Sequence, residues 1–347
     1  MGGLPRPVVR AGSLGACGSV RGVSTLPTFD DVRRAAARID GAARRTPAWS
    51  SDRLDEAAGC AVVLKCENLQ RVGAFKIRGA TNAVRVLLES GERPRALVAH
   101  SSGNHAQAVA LAGREHGLPA TILMPEDAPP EKLAATRALG ADVRTYDRYR
   151  EERTALADAL AAELDAALIP PYDHPDVIAG QGTAALELFE DAGPLDALFV
   201  PVGGGGLLAG SALAASGVSS ATRLIGVEPE ASDDAKRSLE SGALVEVSVA
   251  PTIADGQQAP LGALPFAVMR PLVERVVLAS DDDLRAAMRL LFEATKLVAE
   301  PSGACGLAGL LRHRTALGLE GARVGVIVSG GNVSPERFAV LMAPPTA

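Results

Sequence analysis

Aromatic residues are scarce in this sequence of 347 residues, and their scarcity restricts the kind of core that it can build. Only 3% of the residues are aromatic, whereas 47% are hydrophobic. Ala, Val, Leu and Ile must therefore fill the interior, as they do in α/β proteins with parallel sheets. The chain is longer than one ordinary compact domain, so we expect two domains.

Cysteine and histidine are also rare, and neither forms a metal-binding pattern. The four cysteines show no CxxC spacing, and the five histidines include no HExxH pattern. A zinc site is therefore not expected. Free thiols indicate a reducing compartment, and we predict a cytoplasmic protein. The net charge of −6 argues against nucleic acid as a main partner.

Long apolar segments that would cross a membrane are missing as well. The uncharged stretch from Ala197 to Ala221 is long enough, but Gly203 to Gly206 interrupt it, and consecutive glycines make a poor helix interior. We predict a buried strand, a glycine loop and a buried helix there, and no membrane span. Residues 1–28 contain no acidic residue and lack the apolar run of a secretory signal, so we expect a disordered extension.

Short apolar runs alternate with longer amphipathic ones along the rest of the chain. This alternation predicts a mostly parallel sheet covered by helices. Thr28 is a suitable cap for the helix that begins the ordered part. Ser280 and Asp283 have the spacing of a capping box at the start of a later helix.

Three predicted strands are followed by small, polar turns that contain glycine. SSGNHAQAVA follows ALVAH, GGGGLLAG follows ALFVPV, and SGGNVS follows RVGVIV. Ligands of open α/β sheets bind at the carboxyl ends of strands, so these turns predict a site. The consecutive amides of Gly203 to Gly206 at a helix start would form an anion cradle. Two alternatives stay open: a dinucleotide site, because Glu228 lies near the required offset, and a tight turn without a ligand.

Lys76 opens its own predicted helix, between the apolar Phe75 and Ile77. A lysine at a helix N-terminus opposes the helix dipole, which indicates a use for it. A lysine with apolar neighbours and a phosphate cradle together suggest pyridoxal phosphate (PLP), with the lysine as its Schiff-base partner. The alternative is a surface lysine whose stem lies on apolar neighbours.

Eight motifs occur in the same order as in one known family. They are KCENLQRVGAFKIRGATNAV, SSGNHAQAVA, IAGQGTAALEL, PVGGGGLLAG, GVEPE, TIADG, EPSGACGLAGL and VSGGN. From about Arg45 to Asn332, they resemble the PLP-dependent threonine/serine dehydratase and serine racemase family, which has the tryptophan-synthase-β-like fold (fold type II). The resemblance implies a homodimer of α/β chains with two domains, each with a mostly parallel, helix-covered sheet. Residues 29–95 and 174–347 would form the large PLP-binding domain, and residues 96–173 a small mobile domain.

The resemblance also implies roles for individual residues. The Schiff-base lysine and catalytic base would be Lys76. Further contacts to the cofactor would come from Phe75, Asn104, Gly203, Gly204, Gly205, Gly206, Leu207 and Ser329. The substrate carboxylate would be held by Ser101, Ser102, Gly103 and Gln181. Ser102 would also return a proton to Cα from the face opposite the lysine, as in a racemase, or would only bind the carboxylate. A neutral Ser329 opposite the pyridine nitrogen would favour rapid elimination.

The implied activity is that of an L-threonine/L-serine ammonia-lyase, which releases a 2-keto acid and ammonia. Serine racemase and threo-3-hydroxyaspartate ammonia-lyase are the open alternatives within the family. Pro260 stands where serine racemases have a substrate-side serine, which argues against strict serine specificity. Arg153 stands where those racemases have an arginine near the substrate side chain, and an arginine suits a second carboxylate. It would otherwise be a solvated helix residue.

The segment EPEASDD resembles the divalent-cation loop of the family. Glu228 and Asp234 would supply carboxylates and Ser232 a carbonyl, which is an oxygen shell for Mg²⁺, Ca²⁺ or Mn²⁺. Alternatively, Asp233 and Asp234 cap the next helix.

Overall fold

A computed structural model describes residues 26–101, 103–246 and 250–343, which form ten strands and thirteen α-helices. The strands are β1 (Ala48–Trp49), β2 (Ala61–Cys66), β3 (Ala96–His100), β4 (Ala120–Pro125), β5 (Asp142–Tyr146), β6 (Ala166–Leu168), β7 (Ala197–Pro201), β8 (Arg223–Pro229), β9 (Arg275–Ala279) and β10 (Arg323–Val328). The helices are α1 (Phe29–Arg38), α2 (Asp52–Ala58), α3 (Lys76–Glu89), α4 (Asn104–Glu115), α5 (Pro130–Ala138), α6 (Arg153–Leu164), α7 (Pro175–Ala192), α8 (Gly206–Val218), α9 (Asp234–Ser241), α10 (Ala263–Leu272), α11 (Asp281–Thr295), α12 (Pro301–His313) and α13 (Pro335–Met342).

The strands belong to two separate sheets. The larger sheet has the order β1-β2-β10-β7-β8-β9, and the smaller has the order β5-β4-β3-β6. All strand pairs are parallel except β1 with β2, where Ala48 lies opposite Lys65 at the edge of the larger sheet. This arrangement confirms the predicted α/β fold with two parallel, helix-covered sheets.

Both predicted helix caps are confirmed. The Thr28 hydroxyl accepts from the Asp31 amide, and the Asp31 carboxylate accepts from the Thr28 amide at 2.8 Å. Ser280 and Asp283 form the same reciprocal pair at the start of α11. Each pair satisfies amides that the first turn of a helix leaves without an acceptor.

Helix α3, which begins at Lys76, joins the two parts of the molecule. Its apolar face lies in the core under the smaller sheet, where Ile77, Ala80 and Val84 pack with Val109 of α4. Its other face packs against α7 of the larger part, through the close approach of Gly79 and Gly180. A lysine at the start of α3 therefore lies between the two sheets.

The sequence patterns did not predict every element. The strands β1 and β6 are only two and three residues long, too short for a period-2 pattern to be seen. The boundaries of the predicted domains stay a prediction. Residues 1–25, most of the predicted extension, lie outside the described residues. Within the described ranges, no helix has both the length and the apolar character of a membrane span.

Candidate active site

The three glycine-containing turns line one cavity between the two sheets, at the carboxyl ends of β3, β7 and β10. Its lining includes most of the residues that the sequence analysis selected. These are Phe75, Lys76, Ser101, Gly103, Asn104, Arg153, Gly203, Gly204, Gly205, Gly206, Leu207 and Ser329. The cavity is therefore the candidate active site.

Lys76 is held in this cavity by a small number of contacts. Its Nζ donates a hydrogen bond to the Pro171 carbonyl at 2.8 Å and lies 5.1 Å from the centroid of the Phe75 ring. Burial lowers the pKa of the Lys76 amine to about 8, because no carboxylate compensates the desolvated charge. A larger neutral fraction near neutral pH makes this amine a better nucleophile and base than an ordinary lysine.

The glycine loop that precedes α8 presents free hydrogen-bond donors. Within the described residues, the amides of Gly203 to Gly206 donate to no backbone or side-chain acceptor. Gly205 has a φ of 87°, and a Cβ there would lie 2.6 Å from Leu261 Cδ1, so only glycine fits. Unpaired amides at the N-terminus of a helix of 13 residues suit an anion such as a phosphate.

The residues present therefore fit pyridoxal phosphate. The glycine loop would hold its phosphate and Lys76 its aldehyde carbon. Ser329, on the turn after β10, is buried and donates from Oγ to the Ser302 carbonyl at 3.4 Å. This neutral hydroxyl is the group that the sequence analysis assigned to the pyridine nitrogen.

Asn104, at the start of α4, is fixed from two sides. Its Nδ2 donates to Glu300 Oε1 at 2.6 Å, and its Oδ1 accepts from Asn332 Nδ2 at 2.8 Å. Both partners belong to the part of the chain that carries the larger sheet. The turn that follows β3 is therefore attached to the opposite wall of the cavity.

Two further cations line the cavity, and their surroundings differ. Lys132 of α5 makes ion pairs with Asp255, at 2.5 Å, and with Glu300, at 3.7 Å. Arg153, the first residue of α6, forms no ion pair with any carboxylate in the described part of the chain. Of the two, only Arg153 is available for an anionic ligand.

The neighbours of Arg153 in the cavity lining are His100 and Tyr172. Burial, assisted by the Arg153 charge, lowers the pKa of His100 to about 4, so this imidazole is neutral. Burial raises the pKa of the Tyr172 hydroxyl, and Arg153 opposes that rise. Arg153 thus lies beside two neutral groups and next in the chain to the carboxylate of Glu152, whose pKa is lowered by hydrogen bonds from backbone amides and also by Arg153. A guanidinium in this setting is suited to bind a carboxylate.

Of the predicted substrate residues, Gln181 does not line the cavity, and Ser102 cannot be placed. Gln181 on α7 is buried away from the cavity lining, and its Oε1 accepts from the Gly79 amide at 3.2 Å. In this structure the Gln181 side chain packs between α3 and α7, and its contact with a substrate carboxylate stays a prediction. Ser102 lies outside the described residues, and its two predicted roles stay predictions.

The predicted cation loop lies away from the cavity, at the end of β8. Glu228 accepts from the amides of Ala235 and Lys236 at 3.0 and 2.9 Å, and Asp234 Oδ2 accepts from the Leu261 amide at 2.6 Å. The Ser232 hydroxyl donates to Asp234 at 3.4 Å. Burial raises the pKa of both carboxyl groups, and Asp234 adds to the rise for Glu228.

This donor set fits a divalent cation in its chemistry, since all of its ligands would be oxygen atoms. A cation would also relieve the repulsion between the two carboxylates. However, the described residues contain no cluster of three or more His, Cys, Asp or Glu side chains suited to a metal. The cation therefore stays a prediction.

Several residues of the cavity were not selected from the sequence. They are His100, Lys132, Tyr172, Asp255, Gln257 and Glu300. Asp255 and Glu300 lie within the motifs TIADG and EPSGACGLAGL, which indicated the family but no role for these carboxylates. Gln257 supports the glycine loop by donating from Nε2 to the Val202 and Val227 carbonyls at 2.7 and 3.1 Å.

Comparison with known proteins relates most of the chain to one family. Residues 39–330 match the family model described as "Pyridoxal-phosphate dependent enzyme". The chain is 50% identical to an L-threo-3-hydroxyaspartate ammonia-lyase of Saccharomyces cerevisiae, over 92% of this chain and 97% of that protein. It is 45% identical to a serine racemase of Schizosaccharomyces pombe, over 90% of this chain and 97% of the relative.

A solved structure agrees with these similarities. The crystal structure of a threonine deaminase from T.th. superimposes with a TM-score of 0.83 and 44% sequence identity, covering 89% of this chain and 99% of that one. The shared fold therefore extends over both sheets and the cavity between them.

Proposed function

The chain belongs to the pyridoxal-phosphate dependent enzymes, and on that premise we propose that it is an ammonia-lyase for β-hydroxy amino acids that carry a second carboxylate. L-threo-3-hydroxyaspartate is the proposed substrate, and oxaloacetate and ammonia are the proposed products. The observation that carries this proposal is Arg153, a cavity-lining cation without a carboxylate partner among the described residues. The similarity to the yeast L-threo-3-hydroxyaspartate ammonia-lyase also supports it.

The charges of the cavity favour a dicarboxylate over serine or threonine. A guanidinium binds a carboxylate through two parallel hydrogen bonds, and such a pair is strong where water is scarce. L-serine and L-threonine have no group that would pair with Arg153 in this way. The L-threonine/L-serine ammonia-lyase of the sequence analysis is therefore proposed as a weaker side activity.

The chemistry follows from the residues that surround the substrate. Bound pyridoxal phosphate supplies an electron sink for the negative charge that develops at Cα. The amides of Gly203 to Gly206 hold the phosphate, and the neutral amine of Lys76 takes the Cα proton. Arg153 holds the β-carboxylate, which fixes the angle between the Cα proton and the leaving hydroxyl. The Cα proton and the β-hydroxyl are lost, overall, as water. Hydrolysis of the unsaturated amine that remains yields oxaloacetate and ammonia.

Arg153→Gln tests the proposed recognition. We expect kcat/KM for L-threo-3-hydroxyaspartate to fall about 100-fold, the value of a charged, buried hydrogen-bonded pair. For L-serine, the change should stay within about threefold, because serine makes no use of the guanidinium. The measurement is initial-rate ammonia release with both substrates at several concentrations.

Arg150→Gln is the matched control. Arg150 lies three positions before Arg153, but its side chain is 85% exposed and pairs with Asp147 at 3.4 Å. This variant should leave kcat/KM for both substrates unchanged. The proposal would be contradicted if Arg153→Gln lowered kcat/KM equally for the two substrates, or if it left kcat/KM for the dicarboxylate unchanged.

A further inference from the structure

Lys132 is a buried lysine at the edge of the active-site cavity, and the proposed reaction assigns it no chemical step. It is 4% exposed and belongs to α5, which packs beside the smaller sheet. Its carboxylate partners Asp255 and Glu300 come from the part of the chain that forms the larger sheet. These two contacts, which we call the cleft ion pairs, therefore connect the two walls of the cavity.

The stem of Lys132 lies directly on the turn that follows β3. A Cβ added to Gly103 would be 2.5 Å from Lys132 Cδ and 3.3 Å from its Nζ. Only a glycine permits this approach, so the lysine and the turn are packed against each other. The same turn begins α4, whose first residue Asn104 donates to Glu300 at 2.6 Å. Glu300 thus contacts both the lysine and the turn.

The surroundings of Lys132 argue against a role as a receptor for the substrate's second carboxylate. Two carboxylates already lie within ion-pair distance of its ammonium, at 2.5 and 3.7 Å. Burial opposes the charge of Lys132, but Glu300 and Asp255 outweigh it and raise its pKa, so the ammonium stays charged. A third carboxylate would have to displace a buried partner, which is unfavourable.

We propose that Lys132 is a positioning residue, whose cleft ion pairs fix the Gly103–Asn104 turn against the larger sheet. The turn, to which the family resemblance assigns the α-carboxylate of the substrate, then has a defined place. Without the cleft ion pairs, the turn would be attached to the larger part only through the Asn104 contacts with Glu300 and Asn332 and through packing, as far as the described residues show. Substrate binding would have to order it, which weakens the apparent affinity.

Hydrogen–deuterium exchange of the cofactor-loaded protein, without substrate, tests the positioning directly. We expect Lys132→Met and Asp255→Asn each to accelerate exchange about fivefold or more in peptides that cover residues 103–112. Peptides from α12 and β10 should be unaffected, because the larger sheet keeps its own packing. Asp255 has a side chain that is 20% exposed, so its amide variant should fold even if Lys132→Met does not.

Steady-state kinetics give a second readout. Because the turn binds the substrate and does not transfer its proton, KM should rise about tenfold in either variant while kcat falls less than about threefold. The double variant Lys132→Met/Asp255→Asn should raise KM by less than the product of the two single effects, since both single variants remove the Lys132–Asp255 pair.

Arg95→Met supplies the control. Arg95 pairs with Asp165 at 3.4 Å, with side chains 81% and 79% exposed, and both residues lie beside the smaller sheet. This ion pair does not cross the cavity, so its loss should change neither exchange nor KM. Unchanged exchange at residues 103–112 in both cleft variants would overturn the inference. It would also be overturned if the effects of the two single variants on KM simply multiplied in the double variant.

The inference rests on the proposed function only for the identity of the ligand. If the protein releases no ammonia from L-threo-3-hydroxyaspartate but exchange accelerates in the cleft variants, the proposed function fails and the inference stands. If the wild type turns this substrate over but the cleft variants exchange like the wild type, the inference alone fails.

Discussion

At the scale of single residues, Lys76 shows how a functional side chain departs from what stability favours. It is a partly buried amine with a carbonyl as its hydrogen-bond partner, and the described residues supply no counterion for it. The sequence indicated a conflict with the dipole of α3, whereas in the structure burial is the cause that lowers the pKa of this amine to about 8. In both views the charged form is unfavourable, and the neutral form is the one that the chemistry needs.

Replacing Lys76 by methionine should therefore stabilise the cofactor-free protein. The folded-state pKa of about 8 lies below the usual 10.5, so folding at neutral pH must desolvate or deprotonate the amine. Methionine removes that cost, and we expect the free energy of unfolding at pH 7 to rise by about 1–2 kcal/mol. Activity should fall by many orders of magnitude, because the base and the covalent tether are both lost.

The gain in the free energy of unfolding from Lys76→Met should become smaller as the pH rises. Below about pH 8 the wild-type amine is protonated in both the folded and unfolded states, and the full penalty applies. As the pH rises toward 10.5, the unfolded amine also loses its proton and the penalty disappears. Urea unfolding of both proteins at about pH 7 and about pH 10 measures this. A difference that is constant, or that grows with pH, would show that burial does not shift this pKa.

At the scale of secondary-structure elements, the position of Lys76 depends on the contact between α3 and α7. Gly79 and Gly180 bring the two helices together: a Cβ on Gly180 would lie 2.6 Å from Gly79 Cα and 2.8 Å from the Arg78 carbonyl. Arg78 is fully buried and forms bidentate pairs with Glu67 and Glu187, at distances from 2.7 to 2.8 Å. The first turn of α3 is thus fixed on two sides, two residues beyond the lysine.

Gly180→Ala should separate these helices. The methyl group has no room, so we expect a loss of stability of about 1–3 kcal/mol, as for other overpacked cores. Because α3 carries Lys76, the affinity for pyridoxal phosphate should fall as well. Urea unfolding measures the loss of stability, and titration of the cofactor absorbance measures the affinity for pyridoxal phosphate.

Ser280→Ala is the control for this prediction. It removes the cap of α11, none of whose residues is among the described lining of the cavity, and should cost about 1 kcal/mol without changing the affinity for the cofactor. If Gly180→Ala binds pyridoxal phosphate as the wild type does, the α3–α7 contact does not position the lysine.

Periodicity and caps in the sequence predicted these elements well where the local signal is strong. The strands predicted in ALVAH, ALFVPV and RVGVIV correspond to β3, β7 and β10, and the caps Thr28 and Ser280 are found as predicted. Local signals do not describe the partners of a helix face. Gln181 belongs to a motif of the resembled family, yet its neighbour is Gly79 on another helix, and no pattern along α7 reveals that contact.

At the scale of the whole molecule, the general rule for open α/β sheets located the cavity. The carboxyl ends of strands from both sheets meet there, and the glycine-containing turns after β3, β7 and β10 were recognisable in the sequence. The pairing of charges across the cavity could not be recognised in the sequence. Lys132 and Asp255 are separated by 123 residues. Only the arrangement of the two sheets shows that Lys132 has carboxylate partners, whereas the described residues give Arg153 no ion pair.

The difference between those two cations leads to the central claim, that the enzyme releases ammonia from a dicarboxylic β-hydroxy amino acid. The most direct test measures keto acid, ammonia and D-amino acid formation by one preparation of the wild-type protein. Its substrates are L-threo-3-hydroxyaspartate, L-serine and L-threonine, each at equal concentrations and with pyridoxal phosphate present.

We predict that oxaloacetate and ammonia form in equal amounts, with kcat/KM for L-threo-3-hydroxyaspartate at least about 100-fold above that for L-serine or L-threonine. D-serine should be a minor product. A preference for L-serine or L-threonine, or D-serine formation that is faster than ammonia release, would contradict the account.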